Sequence, residues 1–291
     1  MIAILDMGSN SFILLVLSEN GEVKLEEVYE VGIASNEKGI LEKAKRVFKE
    51  CENKAKKMGA QLFAFGTAFF RKNPDVFFEI TQGKGKILSE SEEAFYSYIS
   101  VAKDFKKENI LVADLGGGSL ELSWNDGYVS LELGTHVLNH TFSLTLPYKK
   151  PIDDIVRYVV KTLPELRKLE LFGVGGSFVA LAALKVGEWN LRKLHGSVLN
   201  AKEVSKIVDR IKDMSFEEVK NLNILPKGRE KTILAGGIIT LALLKKYSDK
   251  MTVSTKGYRY GIAWYLLEKS WRARGDSNPQ PPDPQSGALS N

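Results

Sequence analysis

Ile2, Ala3, Ile4 and Leu5 stand without a polar break, Asp6 follows, and the apolar run resumes as F-I-L-L-V after the turn G-S-N-S. Two short β-branched runs bounded by small polar residues predict a hairpin of strands at 2–6 and 12–17, with a third strand near 22–31. The spacing then changes. Ile40, Ala44, Val47, Cys51, Ala55 and Met58 recur at helical intervals, which predicts an amphipathic helix with a lysine-rich outer face. Q-L-F-A-F-G-T-A reads as a strand. S-E-S-E-E-A-F-Y-S-Y-I-S-V-A reads as a helix opened by Ser89 with Glu92 in capping-box spacing. I-L-V-A-D at 110–114 is the next strand.

From there the order repeats. V-A-D-L-G-G-G-S-L-E-L-S is again strand, acid, glycine turn and strand, with Asp114 in the place of Asp6. P-I-D-D-I-V-R-Y-V-V-K-T-L is a helix. L-F-G-V-G-G-S-F-V-A-L is a strand, a glycine turn and a buried helix. A further helix is capped by Asn200 with Glu203 three residues on. T-I-L-A-G-G-I-I-T-L-A-L-L-K-K is a buried helix, M-T-V-S-T a strand and Y-G-I-A-W-Y-L-L-E-K the last helix. The chain is therefore predicted to be α/β, in two halves that open alike, a weak internal duplication rather than a solenoid. The lobes are expected at 1–109 and 110–270, with the last helix free to pack back on the first lobe. Residues 271–291, rich in Pro, Gly, Ser and Asn, read as a disordered tail.

At 291 residues the chain can bury two cores. Its formal net charge of +5 suits an anionic ligand without proving one. The single cysteine, Cys51, cannot form an internal disulfide, and it lies on the apolar helix face. With no apolar run of transmembrane length and no leader-like start, a cytoplasmic protein is expected. His136, His140 and His195 are scattered and read as structural. There is no zinc spacing, no Walker A and no nucleic-acid module.

Glycine turns between strands let backbone N–H groups converge on an anion, phosphate above all. An acid at the end of the preceding strand can hold a divalent cation that bridges to phosphate, and Mg²⁺ is the usual choice. Asp6 with Gly8, Ser9, Asn10 and Ser11, and Asp114 with Gly116, Gly117, Gly118 and Ser119, thus suggest two halves of a metal–phosphate clamp. Glu121, on the return strand, comes back toward the turn. A third turn, Gly175-Gly176-Ser177, opens a helix and is itself a candidate anion site. Plain tight hairpins with glycine at positive φ, and close helix–strand packing at the third turn, remain the alternatives.

These segments together resemble the exopolyphosphatase / guanosine pentaphosphate phosphohydrolase (Ppx/GppA) family of the sugar kinase–Hsp70–actin superfamily. The matching stretches are D-M-G-S-N-S-F-I-L-L-V, G-T-A-F-F-R-K-N, S-E-S-E-E-A, V-A-D-L-G-G-G-S-L-E-L, G-V-G-G-S, H-G-S-V-L-N and G-Y-R-Y-G, in family order. The resemblance implies two ribonuclease-H-like domains with a cleft between them, and Mg²⁺-dependent hydrolysis of terminal phosphoanhydride bonds. Its substrate would be inorganic polyphosphate or a phosphorylated guanosine nucleotide. It implies Glu93 as catalytic base, Arg71 facing the phosphate, and Asp114, Glu121 and Asp6 as metal-site acids. The chain departs from the family pattern at Glu90, Lys231 and Tyr260, and E-V-Y-E-V-G-I lacks an arginine often found there. Without the resemblance, Glu93 would read as a solvated acid in a first helical turn and Arg71 as a surface arginine. The rival functions are an ATP-binding kinase or ATPase of the same superfamily and a non-catalytic phospho-nucleotide sensor. A first-lobe acid in E-E-A-F, rather than one from the second hairpin, separates the phosphatase from the kinase. Oligomeric state is not fixed by the sequence, and a homodimer stays open.

Overall fold

The computed structural model describes residues 1–35 and 38–272. The chain forms two compact units. One comprises Met1–Ser100 and Tyr258–Arg272, the other Val101–Gly257. The division thus falls inside a helix and not at 109/110, and the last helix groups with the first unit. Most of the segment read as a tail, 273–291, lies outside the described residues.

The first unit runs β1 (Ile2–Met7), β2 (Ser11–Leu17), β3 (Val23–Glu30), α1 (Ile40–Lys57), β4 (Gln61–Gly66), α2 (Ala68–Lys72), α3 (Pro74–Thr81), β5 (Lys86–Ile87) and the start of α4 (Glu90–Phe105). The second unit follows with β6 (Ile110–Leu115), β7 (Leu120–Trp124), β8 (Gly127–Leu131), α5 (Thr135–Phe142), α6 (Asp153–Thr162), β9 (Glu170–Val174), α7 (Gly176–Val186), α8 (Leu191–Leu194), β10 (Val198–Asn200), α9 (Ala201–Asp213), α10 (Phe216–Lys220), α11 (Ile233–Tyr247) and β11 (Lys250–Ser254). Finally α12 (Tyr258–Arg272) returns to the first unit.

The sheet of the first unit has the order β3-β2-β1-β4-β5, and that of the second β8-β7-β6-β9-β11-β10. In each, the first three strands are antiparallel neighbours and the next two add in parallel. Strand for strand the halves match, with β10 added antiparallel at one edge. Both are ribonuclease-H-like, and the duplication read from the two openings is present in the topology.

Both faces of the first sheet are covered, so β1 is apolar at nearly every position. Its alternation decides which helix each side chain meets. Ala3, Leu5 and Met7 pack with Ala44, Phe48 and Cys51 of α1 and Phe77 of α3. Ile2 and Ile4 pack with Tyr258, Ile262 and Ala263 of α12 and with Leu88. Asp6 belongs by parity to this second face. On α1 the residue fully buried beside Ala44 and Cys51 is Phe48, whereas Val47 is partly exposed: the apolar stripe is turned by one position from the spacing read in the sequence. In the second unit the apolar helix α11 lies at the centre of the core with α5, α6, α7 and α9 around it.

The predicted caps form. Ser89 N donates to Glu92 Oε2 at 3.1 Å and Glu92 N to Ser89 Oγ at 3.2 Å. Asn200 and Glu203 make the same reciprocal pair at the start of α9. His195 is a satisfied structural histidine, with Nε2 3.0 Å from Asp104 Oδ2 and its ring stacked on Phe105.

Candidate active-site residues in the two units

The two glycine hairpins close in the same way. Gly8 N donates to Ser11 O at 3.0 Å, and Gly116 N donates to Ser119 O at 3.0 Å. Neither Gly8 nor Gly116 takes a positive φ; a Cβ would lie 3.3 Å from Ser11 O at Gly8, a tight fit, and 3.5 Å from Ser119 O at Gly116, an ordinary contact. In the first unit the Ser9 carbonyl accepts from Ala34 N, and the Asn10 carbonyl from Val31 N and Gly32 N, which ties this turn to the segment after β3. In the second unit the turn's carbonyls are taken by the first amides of α5: Thr135 N donates to Gly116 O and His136 N to Gly117 O. The contact between the two backbones is tight. A Cβ at Gly134 would lie 2.2 Å from Gly117 O. Gly134→Ala is therefore expected to push turn and helix apart, at a cost of about 1–3 kcal/mol. The checks are a lower melting temperature and a weaker apparent affinity for phosphate-bearing ligands.

The third turn lies against the first within the second unit. Gly175 has φ +116°, and a Cβ there would meet Leu115 O at 2.6 Å, so only glycine fits both the conformation and the approach. Over Gly176 sits the guanidinium of Arg229; a Cβ at Gly176 would fall 1.9 Å from its Nη2. Arg229 and Lys231 both act electrostatically on His136, which places these cationic groups near the start of α5. Ser177 is buried against Gly236 of α11, so its side chain serves the packing between α7 and α11.

Asp114 and Glu121 are direct register partners in the β6–β7 ladder. Partners across an antiparallel ladder share a face, so both carboxylates leave the sheet on the same side. Glu121 is 1% exposed, and Ser130 Oγ donates to its Oε1 at 3.2 Å. Two acids of this kind fit Mg²⁺, which is held by one or two carboxylates together with waters and substrate phosphates. Among the described residues, no three or more His, Cys, Asp or Glu side chains gather as a ready-made metal cage.

In the first unit, Arg71 and Glu93 come together. Arg71 Nη1 lies 2.7 Å from Glu93 Oε2 and donates to Leu88 O at 3.1 Å. Thr67 begins the short helix that carries Arg71, its carbonyl accepting from Phe70 N and Arg71 N. Glu93 is 8% exposed, in the first turn of α4 just after the Ser89 cap. It is thus no solvated first-turn acid: the Arg71 guanidinium holds it in place.

Asp6, 9% exposed, accepts from Tyr258 Oη. Burial pushes the Asp6 carboxyl above its ordinary pKa, and the Arg259 charge and the Tyr258 hydrogen bond oppose that shift. Arg259 is itself buried and held by Glu26 of β3, whose Oε1 accepts from Nε at 3.0 Å and Nη2 at 2.5 Å; Tyr260 Oη donates to Glu26 Oε2 at 2.8 Å. Tyr258, Glu26 and Arg229 were not singled out in the sequence. The signal available for Tyr258 was its place in G-Y-R-Y-G, and for Arg229 its place in K-G-R-E-K-T-I.

A model of the Ppx/GppA phosphatase family matches residues 3–270. A bifunctional 3-dehydroquinate synthase/phosphatase of Fusobacterium nucleatum subsp. nucleatum is 28% identical over 85% of this chain and 43% of its own length, so the chain spans less than half of that relative. The Ppx/GppA enzyme of Aquifex aeolicus has a similar structure, with TM-score 0.77 and 24% identity over 92% of this chain and 98% of its own. An exopolyphosphatase from Cytophaga hutchinsonii gives TM-score 0.81 and 18% identity over 92% and 98%. At these identities the structures share the fold; the family match covers both units with their glycine hairpins and acids, and the chain belongs to the Ppx/GppA phosphatase family.

Proposed function

We propose that this protein is a Mg²⁺-dependent phosphohydrolase that releases terminal phosphate from inorganic polyphosphate or from (p)ppGpp-like nucleotides. The observation that supports this most directly is the Arg71–Glu93 pair, which joins two residues 22 positions apart at 2.7 Å in a largely buried setting. Phosphoanhydride hydrolysis needs an oriented water, cations on the phosphoryl oxygens and a stabilised leaving phosphate. Glu93 takes the proton of the attacking water as its oxygen bonds to the terminal phosphorus. The bridging P–O bond breaks, and the shortened chain leaves as an anion. Arg71 orients Glu93 and offers its planar donors to phosphate oxygens. The glycine turns and Arg229 bind the phosphates, and Asp114 and Glu121 are the carboxylates for Mg²⁺, which when bound neutralises charge on the phosphoryl oxygens. No helix among the described residues is long and apolar enough to cross a membrane, and we take the protein to act in the cytoplasm.

Phosphate release from long-chain polyphosphate, pppGpp and ATP, each with Mg²⁺ and with EDTA, tests this reading. Metal-dependent release from polyphosphate or pppGpp is expected and selects the substrate. Three intact substrates, one of them tightly bound, would replace the enzyme by a sensor. Release from ATP alone would point to an ATPase.

A further inference from the structure

Tyr258 is the first residue of α12, directly after Gly257, the last residue of the second unit. Its ring is 7% exposed and packs with Ile2, Ile4, Leu15, Leu17 and Leu88. The alternation along β1 turns Asp6 toward this same face, and the phenol reaches it: Tyr258 Oη donates to Asp6 Oδ1, across 252 residues of sequence. Arg259, the neighbouring cation, is bonded to Glu26, and its charge acts on Asp6. Leu88 connects the same cluster to the other carboxylate. Its side chain packs in the cluster with Tyr258, and its carbonyl accepts from Arg71, which holds Glu93. A neutral phenol thus stands within electrostatic reach of both Asp6 and Glu93. Its hydroxyl serves Asp6 as a donor.

Packing alone would be met by phenylalanine. The hydroxyl adds a hydrogen bond to a buried carboxylate, an interaction stronger than one between neutral groups and specific in direction. We propose that Tyr258 is a positioning residue: its hydroxyl fixes the Asp6 carboxylate in one orientation for phosphoanhydride hydrolysis. This rests on the hydrolase reading above.

The test is a cycle of wild type, Tyr258→Phe, Asp6→Asn and the double variant, assayed on whichever substrate the wild type cleaves. Loss of a hydrogen bond to a charged group corresponds to a kcat about tenfold lower in Tyr258→Phe, with KM within about twofold of wild type. In the Asp6→Asn background the same change is expected to have no further effect, because the two residues act as one unit. An unchanged kcat in Tyr258→Phe, a rise in KM alone, or a full additional loss in the Asp6→Asn background would each overturn the role of Tyr258 and leave the hydrolase reading standing. A wild type inactive on all three substrates would sink the hydrolase reading, and this role with it. Should Tyr258→Phe not fold, 3-fluorotyrosine at position 258 decides. It keeps the donor, so kcat is expected to stay within about twofold, and a tenfold loss would count against positioning.

Discussion

Glu93→Gln is expected to lower kcat by about 10²–10⁴-fold, the range over which a positioned general base contributes, while KM changes little. The substitution removes the proton acceptor and keeps the shape. The new side-chain amide would still offer its oxygen to Arg71 Nη1, which now lies 2.7 Å from the carboxylate, and Arg71 would keep its bond to Leu88 O. The Ser89–Glu92 cap that opens α4 is untouched. The melting temperature should therefore fall by no more than a few degrees. That separation matters, because removing one partner of a largely buried ion pair can unfold a protein by leaving the other charge unmet. Arg71→Ala is the contrasting change: it strips Glu93 of its cation and should reduce both stability and turnover. A Glu93→Gln variant that keeps more than about a tenth of wild-type kcat would remove Glu93 from the base role. Turnover would then have to rest on charge stabilisation alone.

Glu121→Gln is expected to abolish Mg²⁺-dependent turnover while making the metal-free protein slightly more stable. Asp114 and Glu121 stand opposite each other in one antiparallel ladder, and like charges placed so repel. A cross-strand pair is worth about 0.2–1 kcal/mol, which for a chain of this size is on the order of one to a few degrees in melting temperature. The amide keeps an oxygen for Ser130 Oγ, so the hydrogen bond at 3.2 Å has a replacement acceptor. The measurement is a pair of melting curves, in EDTA and in excess Mg²⁺. Wild type should gain stability from the ion by mass action, and Glu121→Gln should start higher and gain less. A variant that is destabilised in EDTA, or that keeps the full Mg²⁺ shift, would take Glu121 out of the metal-binding role.

The family motifs are legible because they are local. D-M-G-S-N-S and D-L-G-G-G-S-L-E-L each sit within one hairpin, where strand period and turn composition leave a direct mark on the chain. The caps at Ser89 and Asn200 are legible for the same reason, since each closes within three residues. The work of the hairpin glycines is not legible where it depends on distant backbone. Gly8 and Gly116 are not left-handed, and what the second turn needs is room for Gly134 to approach Gly117. Nor does spacing on α1 distinguish Val47 from Phe48, because the angle at which a helix meets its sheet sets which edge of the apolar stripe is covered.

Consecutive residues thus carry the two α/β halves, their shared opening of strand, acid and glycine turn, and the membership that those motifs announce. Period-two and period-3.6 patterns are properties of neighbours in the chain, and burial imposes them wherever an element has an inner face. The surroundings of the acids are a different matter and come from packing between distant elements. Arg71 meets Glu93, Tyr258 caps Asp6 and Arg259 is neutralised by Glu26 from 233 residues away. The last two pairs arise from the stacking of α12 on one face of the first sheet, where β1 presents Asp6 and β3 presents Glu26. A buried carboxylate must find a donor or a cation, and the chain order does not say which distant side chain supplies it.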